Sequence, residues 1–104
     1  MSPLCLTGGI ALKHSESLDR LFESFLKLET VEECYAYFED LCTIKELNDM
    51  AQRLDVAILL NHGLSYQKIG EQVDVSTATI GRVSKCLNYG PGGYKTILKK
   101  LEEN

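Results

Sequence analysis

Little in this sequence breaks a helix, and no stretch of it is long and apolar enough for a membrane-spanning helix. Two prolines stand in 104 residues, Pro3 and Pro91, so the chain between them is free of the residue that most disrupts a helical backbone. No apolar run approaches the length of a membrane span, and no basic stretch precedes the mildly apolar opening "MSPLCLTGGIAL". A secretory leader and a membrane helix are therefore not expected. Residues 1–14 read as a loose arm or leader, and 15–104 as a single helical domain. The four cysteines, Cys5, Cys34, Cys42 and Cys86, form no Cys-x-x-Cys pair, and His14 and His62 stand at no ligand-like spacing. That argues against zinc and for incidental or buried thiols in a reducing cytoplasm. A Ser-His-Asp set, paired carboxylates and a strand followed by a glycine-rich phosphate loop are all missing too, so an enzyme is not expected.

The net charge of −4 also lacks the sign that a nucleic-acid binder should have, but it is unevenly spread. Residues 1–60 hold five Lys/Arg against eleven Asp/Glu, a balance of −6, whereas residues 61–104 hold six against four, a balance of +2. The acidic part reads as scaffold, and the second part is where a polyanion could be tolerated.

What is there is a helical period throughout, for an all-α fold of about six helices. Leu18, Leu21, Phe22, Phe25 and Leu26 recur on one helix face behind Ser15 or Ser17 as cap. "TVEE" from Thr30 and "TIKE" from Thr43 are capping boxes, in which the Thr hydroxyl serves the N3 amide and the Glu reaches back. The first opens a helix with a stripe of Tyr35, Phe38, Leu41 and Cys42. The second opens the longest pattern, Leu47, Met50, Ala51, Leu54, Ala57 and Ile58, which ends at Gly63. Two shorter helices follow over roughly 65–72 and 77–88, then a break at Gly90-Pro91-Gly92-Gly93 and a last amphipathic helix with Tyr94, Ile97, Leu98 and Leu101. The two N-terminal helices hold surplus apolar surface, which points to an identical partner chain, the alternative being that they pack on the long third helix within one chain.

The pair at 65–88 fits a helix-turn-helix, whose second helix enters the DNA major groove. Ile69 faces inward, Gly70 supplies a small residue for the helix crossing, and Val73 follows one turn later. Asp74 tolerates left-handed dihedrals at the corner, Val75 plugs it, Ser76 or Thr77 caps the next helix, and Ile80 and Val83 face back. The outward residues Thr77, Ala78, Thr79 and Gly81 are short enough to approach base edges. Ser76 and the first amides suit a phosphate oxygen, and Lys68, Arg82 and Lys85 suit flanking phosphates.

From Leu41 to about Leu87, "LCTIKELNDMAQRLDVAILLNHGLSYQKIGEQVDVSTATIGRV" resembles the Trp repressor family, in its uncharacterised Trp-repressor-related branch. The resemblance implies an intertwined homodimer presenting two recognition helices to successive major grooves, and a sequence-specific regulator that binds double-stranded DNA at a pseudo-palindromic operator as a repressor. It also implies a pocket for L-tryptophan or another small corepressor, with Thr43, Arg53, Arg82 and Cys86 at its positions. Thr43, Arg53 and Arg82 match the family there, while Val83 replaces a glycine beside the indole and Cys86 a serine, which should weaken tryptophan binding. Arg53 has an alternative reading as an ion pair with Asp49. A helical protein-interaction module keeping the helix-turn-helix only as architecture is the alternative to a DNA-binding regulator.

Overall fold

The structure of the protein, a computed structural model, describes residues 12–103. Six helices and no strand occur among the described residues: α1 (Glu16–Phe25), α2 (Val31–Leu41), α3 (Ile44–Asn61), α4 (Tyr66–Gln72), α5 (Thr77–Tyr89) and α6 (Gly93–Glu102). Of the expected arm, residues 1–11 lie outside the described residues, and 12–14 are exposed without regular structure. The chain divides into two compact units, Leu12–Asp49 and the part that begins at Met50, with α3 contributing to both.

Hydroxyl residues before the apolar runs of α1, α2 and α3 start those helices where they should. Ser15 accepts from the Leu18 amide, Thr30 from the Glu33 amide and Thr43 from the Glu46 amide, at 3.0, 3.0 and 3.1 Å. The box at Thr43 is reciprocal, because its amide donates to Glu46 Oε1 at 2.8 Å. That amide first, and the Thr43 side chain second, hold the Glu46 carboxyl below its ordinary value of 4.5. The carboxylate half of the box is thus fully present above that value and weakens as the pH falls through the lowered pKa, while the Thr43 hydroxyl still caps the Glu46 amide. At the other box Glu33 reaches one residue further back than expected, to the Glu29 amide at 2.8 Å.

In the N-terminal unit, α1 and α2 hold no buried residue. Phe25 centres an aromatic cluster, with ring centroids 5.9 Å from Phe22, 6.2 Å from Tyr37 and 5.0 Å from Phe38. The expected stripe on α2 is rotated: Tyr37 turns into this cluster and Tyr35 is 75% exposed. The ring cluster and a 2.6 Å hydrogen bond between the Ser24 and Tyr37 hydroxyls select Tyr37 over Tyr35.

The C-terminal unit has a dry core. Val56 and Ala57 of α3, Ile69 of α4, Ile80, Val83 and Leu87 of α5 and Leu98 of α6 are buried together, with Leu54, Leu59, Leu64, Val73, Val75 and Tyr94 packed around them. Gly63 ends α3 at φ +88°, its amide bonded to the Leu60 carbonyl and that of Leu64 to the Leu59 carbonyl. This pattern satisfies the last carbonyls of α3 and brings Leu64 back toward the core.

Two expectations about the corner fail. Gly70 does not sit at the helix crossing: it is exposed, and a Cβ there would meet nothing within 4 Å. The crossing is set one residue earlier, where Ile69 is wholly buried. Asp74 is not left-handed either, since the described residues with positive φ are Gly63 and Gly92. Val73 leaves α4 at φ −127°, ψ 132°, and Ser76 enters α5 at φ −76°, ψ 153°, so both ends of the corner are extended and need no glycine. Gly70→Ala should therefore stabilise the protein, by up to about 1 kcal/mol, because alanine is the better helix former. A fall in urea midpoint for this variant would place the crossing back at Gly70.

Candidate nucleic-acid interface

The second helix of the pair, α5, is held from beneath and presented from its start. Ile80, Val83 and Leu87 recur at the spacing that points one helix face inward, and all three are buried. The residues on other faces follow from that choice. Thr77, Ala78, Arg82 and Lys85 are exposed, as are Ser76 just before the helix and Lys68 on α4, and Thr79 and Gly81 are half-buried on its flanks. The expected DNA-facing set thus lies on α5, its cap and one position of α4, all within one compact unit.

Local hydrogen bonds fix the start of the helix. The Ser76 hydroxyl accepts from the Thr79 amide at 3.1 Å and donates to Thr79 Oγ1 at 3.0 Å. The first intrahelical bond runs from the Ile80 amide to the Ser76 carbonyl at 3.1 Å, so the amides of Thr77 and Ala78 come before the ladder and point out of the helix end. Ser65 caps α4 in the same way, accepting from the Lys68 amide at 3.2 Å.

A residue absent from the sequence reading fixes the corner. Gln52 of α3 donates through Nε2 to the Asp74 carbonyl at 2.6 Å. Gln52 stands one turn before the buried Val56 on the same side of α3, but its bond is solvent-exposed, so residue type alone gives no sign of it. Through this bond α3 grips the turn between α4 and α5 as well as the core beneath them.

Lys68, Arg82 and Lys85 enter no ion pair among the described residues, whose pairs are Lys45–Asp49 at 2.9 Å and His62–Glu102 at 3.8 Å. Their charges are not spent on protein carboxylates. Asp49 goes to Lys45 instead of to Arg53, contrary to the alternative expected for Arg53. On the helix surface the Lys45 ammonium reaches Asp49 at the same i,i+4 spacing, and the carboxylate takes that partner.

The remaining residues of the expected ligand pocket are distributed over the two units. Thr43 lies in the N-terminal one, exposed, with its hydroxyl engaged as the cap of α3. Arg53, half-buried on α3, Arg82 and the half-buried Cys86 lie in the other. Cys86 belongs to no disulfide. Val83, at the family's glycine position, is 1% exposed inside the core, and no polar or charged residue is buried among the described residues.

Known proteins share this fold. The Trp repressor protein family matches residues 16–102. The uncharacterised protein YerC of Bacillus subtilis (strain 168) is 50% identical over 88 residues, which are 85% of each chain. A Staphylococcus aureus crystal structure, described as that of a candidate Trp repressor, superposes with a TM-score of 0.83 at 42% identity, covering 86% of this chain and 89% of that one. A TrpR-like protein from Eubacterium eligens ATCC 27750 gives 0.82 at 40% identity, covering 85% and 91%.

Proposed function

From the premise that this chain belongs to the Trp repressor family, a family of DNA-binding regulators, we propose that it is a sequence-specific repressor which binds a pseudo-palindromic operator as a homodimer. The half-sites would lie about one helical turn, about 34 Å, apart. The observation that supports this most is the split character of α5: one face is sealed into an apolar core, its N-terminal end offers short side chains and unladdered amides, and Arg82 and Lys85 stand exposed further along it, outside any ion pair of the described residues. In this reading Thr77 and Ala78 approach base edges, Thr79 offers a hydroxyl to the DNA, and Arg82, Lys85 and Lys68 neutralise phosphates.

Binding would not need tryptophan. An indole slot under α5 requires room beside the helix, and the Val83 side chain takes that room within the core. An amino-acid zwitterion also needs buried polar partners, and the inward face of α5 supplies Ile80, Val83 and Leu87 instead. Arg53 and Arg82 are then left for other tasks, and Arg82 for phosphate.

In vitro selection from random duplexes at low salt tests the reading. The expected result is one enriched palindrome, whose affinity falls with salt at a log–log slope of about −0.9 per phosphate contacted. Addition of L-tryptophan should leave both that affinity and the melting temperature unchanged. Failure to enrich any site would leave the interaction module, whereas a tryptophan-dependent gain would remove only the ligand-free part of the proposal.

A further inference from the structure

Between α4 and α5 the backbone has no ladder of its own. The Val73 amide closes α4 on the Ile69 carbonyl, and the next backbone bond is that of the Ile80 amide to the Ser76 carbonyl. Asp74 and Val75 enter no backbone–backbone hydrogen bond among the described residues. Both ends of the segment are extended, a conformation open to any residue and enforced by none of these. Two contacts from outside hold it. Val75 is half-buried at the edge of the core, and Gln52 Nε2 donates to the Asp74 carbonyl at 2.6 Å from 22 residues away. The apolar contact is non-directional: it draws Val75 inward without setting how the backbone turns about it. The hydrogen bond is directional, and its donor stands on the longest helix of the chain. Ile80, Val83 and Leu87 anchor the body of α5, whereas the exposed Thr77 and Ala78 lie before the first of them, next to the corner.

Resting on the DNA-binding reading above, we propose that Gln52 is a positioning residue for DNA recognition, which sets the direction in which the first turn of α5 leaves the corner. Because the bond is exposed, its weight falls on alignment more than on stability. An exposed hydrogen bond changes the ratio of aligned to misaligned corners by about 2- to 5-fold, toward the low end of the range for such bonds. Affinity follows the aligned share of the molecules, so it falls by up to that factor when the bond is lost. A homodimer on a palindrome uses two corners, and the factor is then squared.

The test compares the wild type with Gln52→Leu, which keeps the bulk and loses the donor, and with Gln52→Lys, which keeps a donor on a long stem. Each is titrated at one salt concentration on the selected palindrome, on that duplex with one half-site scrambled, and on a random duplex. Gln52→Leu should lose up to about 4- to 25-fold on the palindrome and about 2- to 5-fold on the half-scrambled duplex. Its affinity for the random duplex should hold, because non-specific binding rests on charge, and its melting temperature should be nearly unchanged. Gln52→Lys should restore the ratio of palindrome to random affinity, since its added charge counts on both duplexes. Unchanged palindrome affinity in Gln52→Leu, an equal loss on all three duplexes, or a lost ratio that Gln52→Lys does not restore overturns the proposal while wild-type binding stands. No enriched site for the wild-type chain would sink the DNA reading and this inference with it.

Discussion

Ile80→Ala is expected to destabilise the protein by about 2–5 kcal/mol, which for a domain of this size lowers the melting temperature by more than about 8 °C. Ile80 is 1% exposed and is the first inward residue of α5, so its loss leaves a cavity where α5 meets the core. The core it belongs to is small, and few neighbours can collapse into the gap. Against a total stability of about 5–15 kcal/mol, that is a large loss for one side chain. DNA binding should fail in step with folding, because the end of α5 is presented only while its inward face is buried. Thr77→Ala is the paired control. Thr77 is exposed, so its stability cost should stay within about 0.5 kcal/mol while operator affinity drops. Chemical unfolding followed by far-UV circular dichroism, with operator titration on the same samples, separates the two effects. An Ile80→Ala variant as stable as the wild type would mean that α5 is held by something other than this core.

Most of the fold could be read from local chemistry. Ser15, Thr30, Thr43 and Ser76 each combine a capping hydroxyl with a following apolar period, and each starts a helix. Gly63 needs a positive φ, and the end of α3 follows from that. The misreadings share one cause: they concern which way a residue faces when two choices satisfy the same period. Tyr35 and Tyr37 lie two residues apart on α2, and only the ring cluster around Phe25 decides between them. Gly70 next to Ile69 looked like a crossing point because small residues allow close approach, yet the neighbouring isoleucine makes the contact. At Asp74 the sequence tolerates a left-handed turn without demanding one, and a long-range partner, Gln52, holds an extended path instead. The exposed and buried faces of α5 were legible because its start is marked by a cap and its inward stripe by Ile80 and Val83. The bond from Gln52 was not, since an exposed polar contact leaves no trace in residue type.

The second large effect is expected at the N-terminal unit. Leu26 is 82% exposed, Tyr35 75% and Ile44 76%, in a unit whose first two helices bury nothing. Each such side chain forgoes about 1.5–3 kcal/mol of burial. An amphipathic helix pair of this kind is not stable on its own propensity, because most helical stability in proteins comes from packing the apolar face. A second copy of the chain is the simplest cover, in keeping with the family, and a palindromic operator needs two recognition helices in any case. The wild-type protein should therefore sediment as a dimer at micromolar concentration. The double variant Leu26→Glu/Tyr35→Glu should sediment as a monomer and lose helical signal. Its operator affinity should fall by about 10³-fold or more, toward non-specific binding, because a lone half-site gives up half of the specific contacts. Lys45→Glu is the control: it breaks only the exposed pair with Asp49, worth at most about 1 kcal/mol, and should leave assembly intact. A wild-type monomer at micromolar concentration, or a double variant that still dimerises, would remove the N-terminal helices as the interface. The palindrome would then have to be met by two separately folded chains, with an affinity that rises steeply with protein concentration.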